Sequence, residues 1–272
     1  MVSNIKSTIR LFFCYVKMTT KAWFQYKLDA CIRSLTVFLR ESTNILIIYF
    51  MLQKFDNING WGRNQLFFLY SLLYVTYGIL IIFCTGLRDF DQLIVNGQFD
   101  RFLLRPQGAL FQVIANNSDW FAAIGHGGLG ITLFIFTANK LGIVWNLKNI
   151  LYYIITIISG TFIQISLFLI FASLSFYIMK SSNLRELLYW QVRKFAGYPI
   201  SIFNTVTQIF LMVVIPFAFV NFFPAEYLLR NDDMENYPTY FIYLSPLVAV
   251  TMTFISYIFW RISLKHYSST GS

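Results

Sequence analysis

Residues 149–179 read NILYYIITIISGTFIQISLFLIFASLSFYIM, without one charged side chain. A membrane-spanning helix needs about 20 mainly apolar residues, roughly 30 Å at 1.5 Å per residue. This stretch exceeds that length, so it is expected to tilt or to project beyond the bilayer. Five further segments meet the same test, at roughly 34–54, 64–86, 118–138, 200–222 and 240–264. The first of them contains the run Asn44–Leu52.

Composition agrees. Of 272 residues, 57% are hydrophobic, 19% aromatic and only 12% charged. Soluble domains carry about 25% charged residues. Half that charge cannot cover a globule of this size, which excludes a soluble enzyme, a disordered chain and a disulfide scaffold. The mean hydropathy of +0.59 points the same way. The fold class expected is therefore an all-α polytopic membrane protein in a single domain, 1–272, with six transmembrane helices.

The formal net charge is +9, but its distribution argues against nucleic acid as partner. Lys6, Arg10, Lys17, Lys21, Lys27 and Arg33 precede the first span. Arg88, Arg101, Arg105, Lys180, Arg185, Arg193, Lys194, Arg261 and Lys265 fall on the same side of the bilayer. Only Lys54, Arg63, Lys140, Lys148 and Arg230 fall on the other. Cytoplasmic loops are rich in Lys and Arg, so both termini are expected in the cytoplasm.

The N-terminal stretch is too basic for a span and lacks a small-residue cleavage site, so it does not read as a removed signal peptide. On a helix, Lys6, Arg10, Lys17 and Lys21 share an arc of about 60°. Ile5, Ile9, Phe12, Phe13, Val16 and Trp23 lie beside them. That describes a helix in the membrane interface over residues 1–30 rather than a free tail.

Two basic connections look structured. In 87–106, Asp89 or Asp91 can cap a short helix that Gly97 ends, and Asp100 can cap a turn that Pro106 closes. Leu93, Ile94, Phe99, Phe102, Leu103 and Leu104 are too apolar for a free loop and need lipid or a protein partner. In 183–197, Asn183 with Glu186 resembles a capping box, Gly197 a C-cap and Pro199 a stop. Leu184, Leu187, Leu188, Val192 and Phe195 form a helical stripe, so 184–196 is expected to be an amphipathic helix, interfacial or docking. On the opposite side, in 223–238, Pro224 suits a first helical turn with Glu226 near its positive end. Ala225–Leu229 is apolar enough to dip into the bilayer before Asp232, Asp233 and Glu235 return to water.

Catalytic signals are weak. There is no GxxxxGK[ST], so no P-loop. The cluster Gly125-His-Gly-Gly-Leu-Gly130 suits close helix packing instead. His126 and His266 are the only histidines, and three cysteines form no CxxC, so no metal site is expected. Asp119 and His126, two turns apart, are a weak catalytic pair. Arg40 and Glu41 lie inside the first span, where charges are functional suspects. Equally, Arg40 can snorkel and Glu41 can find a partner on another helix.

The chain resembles the membrane permeases of type-2 ABC exporters, six-span subunits encoded apart from their ATPase. Gly97-Gln-Phe-Asp-Arg-Phe-Leu-Leu-Arg-Pro106 carries the resemblance, with Tyr198–Phe203, Ile215–Val220, Pro224–Leu229 and the ending Tyr267–Ser272. The resemblance implies that two permease subunits, identical or sister chains, form the path in a bacterial inner membrane. It also implies two cytosolic ABC ATPases that bind ATP and Mg, leaving this chain without a cofactor. The N-terminal helix would be an elbow. Gly97, Phe99, Asp100, Arg101, Phe102, Leu103, Leu104, Arg105 and Pro106 would couple to the ATPase, with Arg185, Glu186, Arg193 and Lys194 as a second contact. Pro224, Glu226 and Tyr227 would belong to an external re-entrant element. Aspartates replacing Phe102 and Leu103 are expected to spare the spans and abolish coupling. The greasy path suits a hydrophobic or amphipathic cargo such as a drug, lipid or antimicrobial peptide. The alternatives are a membrane enzyme acting on lipids and a non-pumping immunity or scaffold protein.

Overall fold

The computed structural model describes residues 5–55, 57–178, 181–229 and 237–268, without the side chains of 5–9. Helices make up the regular structure of the described residues, joined by turns and short irregular connections, with one isolated bridge between Ile58 and Trp61. Chain order is α1 (Ile5–Gln25), α2 (Lys27–Lys54), α3 (Arg63–Arg88), α4 (Phe90–Val95), α5 (Asp100–Leu103) and α6 (Ala109–Asn116). There follow α7 (Trp120–Lys140), α8 (Leu147–Leu174), α9 (Ser182–Arg185), α10 (Val192–Phe195), α11 (Thr205–Ile209), α12 (Phe222–Leu229) and α13 (Ser245–Leu264).

Among the described residues five helices are long and apolar enough to cross a membrane, namely α2, the α3–α4 segment, α7, α8 and α13. A sixth crossing is available if the bent pair Thr205–Val214 and Phe217–Leu229 counts as one. The chain is an all-α, multi-pass membrane protein. The stretch expected to be the fifth span is thus broken, with a 71° bend. Pro216 causes it. A proline lacks the N–H of the helical ladder and drives the preceding residue out of the helical region, where Ile215 has φ −126° and ψ 84°. The fourth span ends at Leu174, earlier than its apolar run suggests, and Ser175–Ile178 turn back. The first apolar helix of span length begins at Lys27, directly after a break at Tyr26, so the N-terminal helix ends sooner than expected. The expected span at 240–264 starts at Ser245, with Pro246 in the first turn.

α3 is the centre of the bundle and packs on α7, α8 and α6. The glycines of α7 permit this. A Cβ on Gly78 of α3 would stand 2.8 Å from the Gly127 Cα, and one on Gly125 would stand 2.8 Å from the Ser34 carbonyl of α2. Without side chains there, backbones approach closely, which is how helices gain van der Waals contact where lipid offers no hydrophobic drive. Side chains cap the starts of α7, α8 and α11: Asp119, Asn146 and Asn204 accept from the backbone N–H groups of Ala122, Asn149 and Thr207.

α1 lies against the bundle with its apolar side. Phe12 packs on Phe83 and Phe111, and Trp23 on Phe121 with its indole N–H donating to the Ser118 carbonyl. Arg10, Lys17 and Lys21 stay exposed. On the opposite end of the bundle, α12 is packed inside the fold: Phe222, Phe223, Pro224, Ala225 and Glu226 are buried. Tyr227 stacks on Tyr152 with ring centres 3.9 Å apart. Arg230, Asp232, Asp233 and Glu235 lie outside the described residues.

Candidate functional site

The connection 87–106 is a built element rather than a loop. α4 ends in a left-handed residue, Gly97 at φ +63°, which suits glycine because it has no Cβ. Its chain reversal is closed by the Gln98 and Phe99 N–H groups donating to the Leu93 carbonyl. Neither aspartate caps α4 as expected. Asp89 pairs with Arg88 at 2.7 Å, and the buried Asp91 pairs with Arg185 at 3.3 Å. Asp100 opens α5, but its carboxylate accepts from the Tyr267 hydroxyl at 2.8 Å.

Phe99 corrects the sequence reading most. It is fully buried, yet not by lipid or a partner: it sits edge-on to Phe90, Phe176, Trp260 and Tyr267, at the ends of α8 and α13. Phe102 is also buried, beneath the Arg105 guanidinium, and its carbonyl accepts from the Gln112 amide. An aspartate at Phe102 would therefore be a folding lesion, contrary to the expectation that it spares the spans. Arg101, Leu103, Leu104, Arg105 and Pro106 face outward, with Leu104 86% exposed.

The segment 182–195 is one helix, but Glu186–Gln191 is a π turn between α9 and α10. The wider turn rotates the faces. Leu187 and Phe195 of the expected stripe are exposed, while Tyr189 and Arg193 point inward and are buried. No side-chain cap forms at its start, and Glu186 instead accepts from Gln191. Gly197 does not take a left-handed conformation. It is needed because a Cβ there would collide with the Tyr70 ring. Of the four expected contact residues, Glu186 and Lys194 face outward, Arg185 is tied to Asp91, and Arg193 is turned into the bundle.

Arg193 meets the intramembrane charges there. Glu41 is buried, with Arg40 at 3.0 Å, His126 at 3.7 Å and Arg193 at 3.9 Å. The Arg193 guanidinium lies over the rings of Tyr77, Tyr74 and Trp190, at 4.7, 5.2 and 5.5 Å. Burial opposes its charge, but Glu41 and the surrounding tyrosines outweigh that and hold its pKa above the ordinary value. Burial pushes the neighbouring Tyr189 phenol well above the usual tyrosine range. Arg40 itself is largely exposed, as snorkelling requires. Asp119 and His126 do not pair: Asp119 binds Arg33 and caps α7, whereas His126 faces Glu41. The link from Glu41 to Arg193 joins positions far apart in sequence, and only the unusual burial of charge hinted at it.

Among the described residues no group of His, Cys, Asp and Glu is arranged to hold a metal. No curated protein and no solved structure matches the chain. The family model of ABC-2 family transporter proteins matches residues 38–271, which takes in the second part of α2, all the later crossings, the 87–106 element and the broken span. The chain belongs to the ABC-2 family of transporter proteins.

Proposed function

We propose that this permease is half of the membrane domain of an ATP-driven exporter and takes its power stroke from a separate cytosolic ATPase through residues 87–106. One observation supports this most. The inner side of the element, Phe90 and Phe99, is locked onto the ends of α8 and α13, while its outer side presents Arg101, Leu103 and Leu104. A push on that tip reaches two spans through packed aromatic rings, which transmit displacement because protein interiors are close to incompressible. Apolar side chains beside cations suit a groove with an acidic rim on a soluble protein.

The basic end of the bundle is then cytoplasmic, as the charge asymmetry requires. α1 is the elbow, and the packed α12 is the external element of the export path. Two copies, or this chain and a sister, enclose the path, and the cargo is amphipathic. The reading is tested by cross-linking the full-length chain in its native cells and purifying it. An ABC ATPase in the product, with vanadate-sensitive ATP hydrolysis on reconstitution, supports it. A chain that purifies with no ATPase after efficient cross-linking contradicts it.

A further inference from the structure

At the basic end, α2, α3, α7 and the 182–195 helix line an open cavity of about 830 Å³. That is the size of a small-ligand pocket. Its lining carries six Lys or Arg side chains and the carboxylates of Glu41, Asp89 and Glu186, and Asp91 and Asp119 behind the lining bring the carboxylates to five, one short of the cations. Arg33, Arg88 and Arg185 are each matched by an aspartate. Arg40 and Arg193 share the single carboxylate of Glu41, and Lys194 is bound only to the Gln191 amide.

Arg193 is the anomaly. It is more than nine-tenths buried, its Nη2 has no hydrogen-bond partner, and its Nη1 comes no nearer to Glu41 than 3.9 Å. A buried guanidinium without acceptors is costly, because the donors lose water and gain nothing. Its place is nevertheless fixed, since three aromatic rings clamp it at the wall of the cavity, with Nη2 just beneath the lining surface. A fixed planar fork of N–H donors matches the oxygens of a phosphate or carboxylate.

We propose that this cavity takes the oxyanion headgroup of an amphipathic substrate, with Arg193 as its anchor, Arg40 and Lys194 beside it, and Tyr74 and Tyr77 as the apolar wall. The assignment rests on the permease reading and narrows its cargo from amphipaths in general to anionic ones. A cationic antimicrobial peptide does not fit a site with this charge balance. Glu41 holds the guanidiniums while the site is vacant and is displaced by the incoming anion.

The test is equilibrium binding of radiolabelled dodecyl phosphate to the full-length chain in dodecyl maltoside, with inorganic phosphate and dodecyltrimethylammonium as competitors. Saturable binding is expected, competed weakly by phosphate and not by the cation. Arg193→Gln is expected to weaken it at least about tenfold, with Arg193→Lys between, because the fork adds to the charge. Lys194 is exposed, so Lys194→Gln leaves the fold intact and is expected to weaken binding several-fold. Glu41→Gln is expected to tighten binding, whereas an ion cluster that only braces helices would lose it. The proposal is overturned if labelled ligand partitions equally into wild type, Arg193→Gln and Lys194→Gln, or if the cation competes as well. Inorganic phosphate competing on equal terms would make this a free-anion site and overturn the amphipath assignment. Binding needs no ATPase, so a failure here counts against the site alone, and a failure to capture an ATPase counts against the permease reading alone.

Discussion

The Tyr267 hydroxyl donates to the Asp100 carboxylate across 2.8 Å, tying the residues just beyond α13 to the first turn of α5. The last crossing and the outward tip at Leu103–Leu104 are therefore fastened together at one polar bond and one aromatic cluster.

Tyr267→Phe removes that bond and keeps the ring against Phe99 and Phe176. A hydrogen bond to a charged group contributes about 1.5–3 kcal/mol. The expected phenotype is a small loss of thermal stability, unchanged ATPase capture and a lower ratio of transport to ATP hydrolysis. Unaltered coupling in reconstituted vesicles would show that the bond transmits nothing.

Phe99→Ala and Leu104→Asp are expected to separate folding from docking. Emptying a buried phenylalanine site costs about 3–5 kcal/mol, so Phe99→Ala should unfold at markedly lower temperature. Leu104 is 86% exposed, and exposed substitutions usually fall within about 0.5 kcal/mol, so its variant should melt like wild type. Equal melting of the two variants would contradict the burial described.

Gly78→Leu is expected to push α3 and α7 apart. The Cβ alone would stand 2.8 Å from backbone, which cannot shift as a side chain can. Overpacking costs typically about 1–3 kcal/mol, and the central place of α3 puts this variant at the upper end. Calibrated unfolding in detergent measures it, and wild-type stability would refute the contact.

Cys14 and Cys31 are exposed free thiols, whereas Cys84 is buried. An impermeant thiol reagent applied to intact cells is expected to spare all three, and one applied to opened membranes to label only Cys14 and Cys31. Labelling of Cys14 from outside would reverse the orientation.

The crossings were legible because an apolar run of span length has few other uses, and the role of Gly125–Gly130 followed from residue size. The break at Ile215-Pro216 was written in the proline but hidden by the apolar residues on both sides. The inward face of 182–195 was not legible. A stripe counted at 3.6 residues per turn fails where Glu186–Gln191 forms a π turn. Burial of Phe99 depends on Phe176, Trp260 and Tyr267, which only the tertiary fold brings to it. The same holds for Glu41 and Arg193, whose charges mark them as unusual without naming each other.

The power stroke is proposed to enter at Leu103–Leu104. A photo-crosslinking amino acid placed at Leu104 of the full-length chain, in cells that make its native partners, is expected to yield an adduct with an ABC ATPase. The same group at Phe99 is expected to yield none, because that side chain is enclosed by its own chain. No ATPase adduct from Leu104, with lipid alone labelled, would contradict the account.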